Sequence, residues 1–476
     1  MSETELNSKQ LIAINNELDI QLPFFIKTGS ARFECSQSLR LLAGKRLVCK
    51  ARYQGRTVLL KIFFGASYIR RYQRELDGIK LIQQEAINTP QLITSIIDRQ
   101  SSLAYIVFDY LEKIRSLNDC LKQASTVEQR LATFKQALEL IAQMHAVSIY
   151  QRDVHLDNFL VKNSTVYLID GDQIEKESGD NGLAQEFVVK NLALFFTQLY
   201  PWEYTHIEPL LDFYVESRGQ CFPASFYEDT KRQLFEYKQW REKKYIEKKV
   251  FRRCSAFDVI KNWNQYCVYL RKFDRASVQQ FIADPDKAIA NGEVLKSGRT
   301  SIVVKLELNG QVYVVKRYNR KSLLHQCARS LMPSRAADSW KNGHLLEFNH
   351  IPTARPLLML ENRWGAFRGR SYVLTEYIEG IHAFDYFEGS QPLEEREVMA
   401  VKINTLIKRL HQSGFVHGDL KAYNIWIKGS EPILIDLDGM ERERQLLIVK
   451  DWSRLHRDLA NSDIAAVLFE GVTDVA

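Results

Sequence analysis

The chain has 476 residues, of which 45 % are hydrophobic and 26 % are charged, and its formal net charge is +7. This length exceeds what one hydrophobic core supports and predicts two or three domains, while the composition excludes a disordered or fibrous protein. The sequence shows neither a secretory signal nor an apolar stretch long enough to span a bilayer, so we expect a cytoplasmic protein.

The first half begins with strands and continues into helices. A β-hairpin is predicted in Arg46–Phe64, and Lys61 lies near the end of its second strand. A helix is expected over Tyr68–Gln84 with Ser67 as its N-cap. A longer helix should follow a capping box at Ser125–Glu128. This order of elements indicates an α+β fold.

A strongly basic segment follows the helices of the first half. It runs from Lys231 to Arg253 and contains ten Lys or Arg residues and three Glu, interleaved with aromatic residues. Two interpretations stay open: a solvated helix at a domain edge, or a surface that meets anionic lipid or a phosphorylated glycan. No nucleic-acid-binding module accompanies the segment, so nucleic acid is not expected as a partner.

The second half has the same order of elements as the first. Pro and Gly residues predict a linker at 276–290, which separates a first domain at 1–275, with a core at about 30–250, from a shorter one at 291–476. The hairpin of the second half is predicted in Ser301–Tyr318, with its turn at Asn309 and Gly310 and with Lys316 on its second strand.

One passage occurs twice in the chain, at a fixed offset of 266 residues. The copies begin at Leu140 and Leu406 and align without a gap over 36 residues with 12 identities. The identities include polar pairs that a shared helix and strand pattern would not supply: Asp153 with Asp419, Asn158 with Asn424, and Asp170 with Asp436. A repeat that keeps its carboxylates while its apolar residues change indicates shared chemistry.

The spacing within each copy suits phosphoryl transfer. The first Asp precedes the Asn by five residues and precedes the second Asp, at the end of an apolar strand, by 17. A phosphotransferase needs a cation for the nucleotide phosphates, oxygen ligands for Mg²⁺ and an acceptor for the proton of the substrate hydroxyl. Taken singly, these residue types are also typical of turns, caps and the edges of sheets.

The repeated motifs resemble known ones. The segments RDVHLDN with LIDGD, and HGDLKAYN with LIDLDG, are similar to the catalytic loop and metal-binding strand end of the protein-kinase-like fold. Together with the segment IPTARPL, they resemble the Kdo/WaaP family of bacterial lipopolysaccharide core kinases. The resemblance implies two tandem protein-kinase-like domains, each with a small β-rich N-lobe and a mainly helical C-lobe.

The same resemblance implies an activity and its partners. ATP and Mg²⁺ would be the cofactors, and a heptose or Kdo hydroxyl of the lipopolysaccharide inner core would be phosphorylated. The acceptor would be the lipopolysaccharide core or lipid A-core at the cytosolic face of the inner membrane. Peripheral contact with that membrane would then involve Lys231–Arg253.

Position by position, the resemblance assigns roles to eleven residues. The catalytic group would be Asp153, Asp419, His155 and Lys421. The nucleotide-binding group would be Lys61, Glu75 and Lys316. The metal ligands would be Asn158, Asp170, Asn424 and Asp436. The second half departs from the family pattern because Ser339 stands where Glu75 stands in the first half.

Two alternatives remain at this point. The loop motif of the first half also resembles small-molecule kinases such as aminoglycoside and choline kinases, so the acceptor could be another alcohol or a protein. Alternatively, one half is a regulatory pseudokinase. The second half is the better candidate for that role because Ser339 cannot replace a carboxylate.

Overall fold

The computed structural model describes residues 5–14, 20–28, 31–177, 182–319 and 332–472. The chain divides into two compact units. The first unit comprises Met1–Leu199 with Thr205–Tyr237, and the second comprises Tyr200–Tyr204 with Lys238–Ala476. Among the described residues, no helix combines the length and apolar character that crossing a membrane requires.

The boundary between the units lies upstream of the predicted linker at 276–290. Strand Phe257–Lys261 already belongs to the sheet of the second unit. The Pro and Asp residues of the predicted linker instead start a short helix, Pro285–Ala290, because Asp284 caps it by accepting a hydrogen bond from the Lys287 amide at 2.9 Å. Helix-capping residues were therefore mistaken for linker residues.

The described helices and strands of the first unit are as follows. Its strands are β1 (Phe24–Thr28), β2 (Ala31–Leu42), β3 (Arg46–Tyr53), β4 (Arg56–Phe63), β5 (Leu92–Asp98), β6 (Leu103–Asp109), β7 (Arg115–Ser116), β8 (Ile149–Gln151), β9 (Phe159–Lys162), β10 (Thr165–Leu168) and β11 (Ile174–Lys176). Its helices are α1 (Ser8–Ala13), α2 (Tyr68–Gln84), α3 (Leu117–Gln123), α4 (Val127–Ala146), α5 (Gln185–Phe196), α6 (Ile207–Arg218) and α7 (Ser225–Tyr245), the last of which enters the second unit at Lys238.

The second unit has its own set of elements. Its strands are β12 (Phe257–Lys261), β13 (Gln265–Leu270), β14 (Glu293–Ser297), β15 (Ser301–Leu308), β16 (Gln311–Tyr318), β17 (Pro356–Trp364), β18 (Phe367–Glu376), β19 (Ile381–His382), β20 (Phe415–Val416), β21 (Ile425–Lys428), β22 (Glu431–Leu434) and β23 (Glu441–Arg442). Its described helices are α8 (Arg275–Ala283), α9 (Pro285–Ala290), α10 (Arg335–Phe348), α11 (Ala383–Glu388), α12 (Leu393–Gln412), α13 (Gln445–Leu459) and α14 (Ala465–Leu468).

Each unit is built around one large antiparallel sheet, which confirms the α+β class. In the described part of the first unit, the sheet has six strands in the order β1-β2-β3-β4-β6-β5, and in the second it has seven in the order β12-β13-β17-β18-β16-β15-β14. Lys61 lies on β4 and Lys316 on β16, and both strands are interior to their sheets. Neither lysine is therefore an edge-strand residue, which removes the structural alternative considered for them.

Local signals in the sequence predicted most of these elements. Both hairpins form as expected, and the turn residues Asn309 and Gly310 have the positive φ angles, 47° and 75°, that this turn requires. Two caps differ from the prediction. Ser67 precedes α2 but is itself left-handed and makes no side-chain cap, and the capping box of α4 pairs Thr126 with Gln129 rather than starting at Ser125.

Helix α2 lies directly against the segment that follows Asp170. A Cβ placed on Gly78 would overlap the Gly171 carbonyl oxygen, and a Cβ on Gly171 would overlap the backbone of α2 at Glu75. Both positions need glycine because two backbones approach each other there. This contact fixes the distance between the helix and the end of the strand that carries Asp170.

We expect Gly78→Ala to lower the free energy of unfolding of the first unit by about 2 kcal/mol, because the added methyl group must push two backbones apart. Elsewhere in a helix the same change would be mildly stabilising. Urea unfolding monitored by circular dichroism measures the effect. Gly298→Ala is the matched control, since the atom nearest to its Cβ is the Ser301 carbonyl oxygen at 3.4 Å. Equal stability of the two variants would contradict the close approach.

Candidate active sites

The first site is organised by a buried ion pair between Lys61 and Glu75. The Lys61 ammonium contacts Oε1 of Glu75, and the Glu75 side chain is fully buried. Arg46 on β3 approaches the other carboxylate oxygen, with 3.2 Å between Nη1 and Oε2. The Gly171 amide also donates to Glu75 at 3.3 Å. Glu75 is therefore part of the interior and not of the charged, solvent-exposed face of α2.

Asp170 lies at the border of this charge cluster. Arg46 reaches it too, with 3.6 Å between Nη1 and Oδ1 of Asp170. Burial opposes the charge on Asp170, but the positive charges of Lys61 and Arg46 hold its pKa at about 2. Burial raises the pKa of Glu75, against the opposing effect of Lys61. Asp170 is thus the ionised carboxylate of the site near neutral pH.

Asn158, at the end of the loop that contains Asp153, is hydrogen-bonded to residues at the start of that loop. Its side-chain amide donates to the Asp153 carbonyl at 3.1 Å and to Oε1 of Gln151 at 2.9 Å. The Gln151 amide in turn donates to the carbonyls of Ile169 and Asp170 at 3.2 and 3.1 Å. A single buried glutamine therefore joins the loop of Asp153 and Asn158 to the strand end of Asp170, a link that the sequence comparison missed.

The two outer residues of the loop face solvent. Asp153 is exposed. The His155 ring is partly exposed, and its Nδ1 lies 3.8 Å from Oδ2 of Asp157. An exposed carboxylate and an imidazole within two residues of each other can meet an external substrate without rearrangement of the core.

His145 is a buried scaffold residue. Its ring nitrogens lie 2.8 Å from the Tyr214 hydroxyl and 3.1 Å from Oδ1 of Asn191. Asn191 then donates to the Gln151 carbonyl at 2.8 Å. This chain of hydrogen bonds anchors the loop of Asp153 to helices α4, α5 and α6.

Asn158 and Asp170 offer the oxygen ligands that a divalent cation needs. Both hydrogen bonds of the Asn158 side chain use its nitrogen, which leaves its oxygen available. Oδ1 of Asp170 is buried without a hydrogen-bond partner among the described residues. An ionised, orphaned carboxylate oxygen fits a hard cation such as Mg²⁺. No group of three or more His, Cys, Asp or Glu side chains is arranged for a metal within the described ranges.

The second site has a different charge arrangement. Lys316 contacts Oδ1 of Asp436 at 2.5 Å and Oδ2 of Asp438 at 2.8 Å. The Tyr318 hydroxyl and the Arg335 guanidinium also donate to Asp438, at 2.6 and 2.7 Å. The lysine that pairs with a helix carboxylate in the first unit is therefore held by the strand-end carboxylates in the second.

Ser339 is the residue that the sequence comparison sets against Glu75. Asn342, three residues beyond Ser339, donates to the Leu437 carbonyl at 2.9 Å. The corresponding residues of the first unit, Gly78 and Gly171, approach each other through their backbones. Burial opposes the charge on Asp436, but Lys316 lowers its pKa. Asp436 shares with Asp170 a left-handed backbone, with φ angles of 61° and 71° respectively.

The loop of the second site keeps the bond between Asn and Asp. Asn424 donates to the Asp419 carbonyl at 2.7 Å, and Lys421 lies 2.8 Å from Oδ1 of Asp419. His417 takes the place of Gln151 and bonds to the Ile435 carbonyl through Nε2 at 2.9 Å. Burial lowers the pKa of His417.

Each loop is also anchored through its backbone amides, by the turn after α5 in the first unit and by α13 in the second. In the first unit, Gln198 accepts from the Leu156 amide at 2.7 Å. In the second, Asp458 accepts from the Ala422 amide at 2.9 Å, and Asp451 accepts from the amides of His417 and Gly418 at 2.7 and 3.0 Å. The sequence similarity of the two helical segments downstream of the repeat was the available signal for these anchors. It did not reveal that a side-chain amide, Gln198, accepts in the first unit where a carboxylate, Asp458, accepts in the second.

Comparison with known proteins gives one family. The model of the lipopolysaccharide kinase (Kdo/WaaP) family matches residues 63–189 and 279–469. Lys61 lies just ahead of the first matched segment. A solved structure described as WaaP in complex with acyl carrier protein is similar at 15 % identity with a TM-score of 0.33, covering 44 % of this chain and 88 % of that one. No curated protein matches this chain.

The buried His145 makes stability depend on pH. Burial lowers the pKa of His145 to about 3 from an ordinary value of 6.5. Between these values the unfolded chain binds a proton at His145 that the folded protein does not. The contribution of neutral His145 to the free energy of unfolding is therefore full above pH 6.5 and is lost as the pH decreases toward 3. We expect a loss of about 2 kcal/mol in unfolding free energy at pH 5 relative to pH 7.5.

Urea unfolding of the wild-type protein and of His145→Asn at these two pH values measures this dependence. His145→Asn should be less stable at both, but the difference between its two values should be smaller by the stated amount. An unchanged difference would show that His145 is not the titrating group. His206→Gln, at a half-buried histidine of the same unit, is the control.

Proposed function

Because the chain belongs to the lipopolysaccharide kinase (Kdo/WaaP) family, we propose that it transfers the γ-phosphate of ATP to a sugar hydroxyl, of heptose or Kdo, in the lipopolysaccharide inner core. The reaction converts ATP and the alcohol into ADP and a phosphate ester, with release of one proton. The family match in two segments supports a tandem arrangement, in which each unit has a β-rich lobe followed by a helical lobe. The proposed place of action is the cytosolic face of the inner membrane.

The observation that carries this proposal is the cluster of Lys61, Glu75 and Asp170 in the first unit. A fully buried carboxylate persists only when it is paired, and here it holds a lysine on an interior strand beside an ionised aspartate. A lysine fixed in this way presents its charge to bound phosphates without first losing side-chain freedom.

The remaining residues of the first site are proposed to act on the acceptor. The exposed carboxylate of Asp153 would orient the sugar hydroxyl and accept its proton as the new bond to phosphorus forms. His155, two residues on, would offset negative charge on the transferred phosphate. Hydrogen bonds from Asn158 and through Gln151 would keep this loop at a fixed distance from Asp170.

Magnesium fits the donors of the first site. Asn158 and Asp170 would hold it through their side-chain oxygens, and their counterparts Asn424 and Asp436 would do so in the second. The ion would neutralise negative charge on the nucleotide phosphates. In the second unit, however, Oδ1 of Asp436 already bonds to Lys316.

We propose that the second unit has a binding or regulatory role. Asp419, Lys421 and Asn424 retain the arrangement of a catalytic loop. Within the described part of the chain, however, no helix carboxylate pairs with Lys316, which is held by Asp436 and Asp438 instead. Nucleotide phosphates would have to displace these carboxylates before they could use the lysine. The cost of separating those ion pairs would weaken nucleotide binding there relative to the first unit.

Comparing Asp153→Asn with its matched variant Asp419→Asn distinguishes the contributions of the two units to phosphate transfer. Loss of a general base costs about a thousandfold in rate, so Asp153→Asn should reduce turnover of ATP and core acceptor by that order. Asp419→Asn should leave turnover close to the wild-type rate. The measurement is transfer of radiolabelled phosphate. The opposite pattern would assign catalysis to the second unit.

The acceptor can be tested on core lipopolysaccharide purified from cells that lack the protein. We expect the purified enzyme to phosphorylate this material and to leave aminoglycosides, choline and a generic protein substrate unmodified. Mass spectrometry of the released core oligosaccharide locates the phosphate. Activity on a soluble alcohol alone would keep the kinase fold and reject the lipopolysaccharide acceptor.

A further inference from the structure

Two adjacent turns of the second unit expose aromatic rings. Strands β12 and β13 are joined by a turn that carries Trp263, and β17 and β18 by a turn between Trp364 and Phe367. The exposed fractions of these three side chains are 67 %, 70 % and 48 %. We refer to residues 261–265 and 361–370 together as the aromatic tip.

The two turns of the aromatic tip are held together. Strands β13 and β17 are neighbours in the sheet, with Gln265 opposite Asn362. The Gly365 amide donates to the Trp263 carbonyl at 3.0 Å. A Cβ on Gly365 would lie 2.9 Å from the Trp263 ring, so this indole covers the opposite turn. Trp364 and Phe367 stack on each other with their centroids 6.0 Å apart.

Such exposure has a cost that the fold itself does not explain. Large aromatic side chains left in water forgo the stabilisation that burial would give, and clustered exposed rings are typical of a surface that meets another phase or molecule. The three rings lie at hairpin turns, where they contribute little to the core beneath. The stacking of Trp364 on Phe367, and the contact of the Trp263 ring with Gly365 between them in the chain, keep the three rings on adjoining turns.

Basic residues flank the rings in the sequence of the two turns. The tip contains Lys261, Arg363, Arg368 and Arg370, and its only carboxylate is the buried Glu361, which pairs with Arg363 and Arg368. Arg370 pairs with Asp286. The tip itself has a net charge of +3, and Asp286, which lies outside the tip, reduces this to +2 when it is counted as well. Exposed indoles bordered by lysine and arginine match the interface of an anionic bilayer, where aromatic rings sit among the headgroups and cations meet lipid phosphates.

We propose that the aromatic tip docks the second unit on an anionic lipid surface, with Trp364 and Phe367 inserted at headgroup depth. This surface differs from the basic segment Lys231–Arg253. Cations are paired within the chain on both surfaces: Lys231 with Glu208 and Glu228, Arg232 with Asp229 and Arg253 with Asp258 in the segment, and Arg363 and Arg368 with Glu361 and Arg370 with Asp286 at the tip. What distinguishes the tip is its group of exposed rings on two adjoining turns. Burial also lowers the pKa of Lys238, which donates to the Ser413 carbonyl. The lipid contact does not depend on which unit transfers phosphate.

The test is sedimentation of the full chain with vesicles of phosphatidylethanolamine and phosphatidylglycerol. Trp364→Ser combined with Phe367→Ser should lower the apparent affinity for these vesicles about tenfold, because two rings no longer leave water. Trp240→Ser, at a 51 % exposed tryptophan of the basic segment, is the matched control and should bind like wild type. Vesicles of phosphatidylcholine should bind every form weakly, and added salt should reduce binding to the anionic vesicles.

Rescue and charge variants separate docking from misfolding. Trp364→Phe combined with Phe367→Trp keeps two rings and should restore binding. Lys261→Glu should lower affinity about tenfold, since each basic group near an anionic surface contributes roughly 1 kcal/mol and this change removes one and adds a repulsion. Both readouts are independent of kinase activity, so failed phosphorylation of core lipopolysaccharide would leave this result standing.

Three outcomes would overturn the proposal. The first is wild-type protein that does not sediment with anionic vesicles. The second is an equal or greater loss in Trp240→Ser, which would move the contact to the basic segment. The third is a double serine variant that binds vesicles normally but loses affinity for soluble core oligosaccharide, which would make the rings a sugar-stacking surface.

Discussion

The arrangement of the first site depends on burying a charged pair between an interior strand and a helix. Removing a carboxylate and an ammonium from water costs several kcal/mol for each ion, and only close pairing with further hydrogen bonds offsets this. Lys61 and Glu75 meet this condition because Arg46 and the Gly171 amide satisfy the remaining oxygen valences. The requirement extends to the backbone, since the helix and the strand end must approach closely enough that both Gly78 and Gly171 lack room for a side chain.

In the described part of the second unit, the lysine on the interior strand is paired with carboxylates that do not lie on a helix. Once serine stands at position 339, the lysine of the interior strand needs another anion, and the strand end supplies two, Asp436 and Asp438. Tyr318 and Arg335 then complete the bonds of Asp438. The two copies therefore retain similar backbones around different charge networks. Among the described residues, Oδ1 of the strand-end aspartate accepts no hydrogen bond in the first unit and lies 3.6 Å from Arg46, whereas in the second unit the corresponding oxygen accepts a hydrogen bond from lysine.

Much of this could be predicted from local sequence. Hairpin turns and helix periodicity depend on residues close together in the chain, and both kinds of prediction are confirmed for the elements described. The catalytic roles assigned to the doubled loop motif stay a prediction. The partners of Lys316 could not be predicted, because Asp436 and Asp438 lie 120 and 122 residues away and the family pattern points to a helix position instead. The link through Gln151 was missed because its counterpart is a histidine. The linker prediction was wrong because the same residue types start helices and interrupt them.

Asp170 and Asp436 both adopt a left-handed backbone, at φ angles of 71° and 61°. Residues other than glycine enter this region at a cost on the order of 1 kcal/mol, which glycine would avoid. Neither copy has exchanged its aspartate for glycine, and both keep the preceding Leu-Ile and the Asp two residues further on. The duplicated chain has thus kept an energetically unfavourable backbone turn together with the carboxylate that it presents. The two copies share the direction of this side chain, whereas the charged groups that contact it differ.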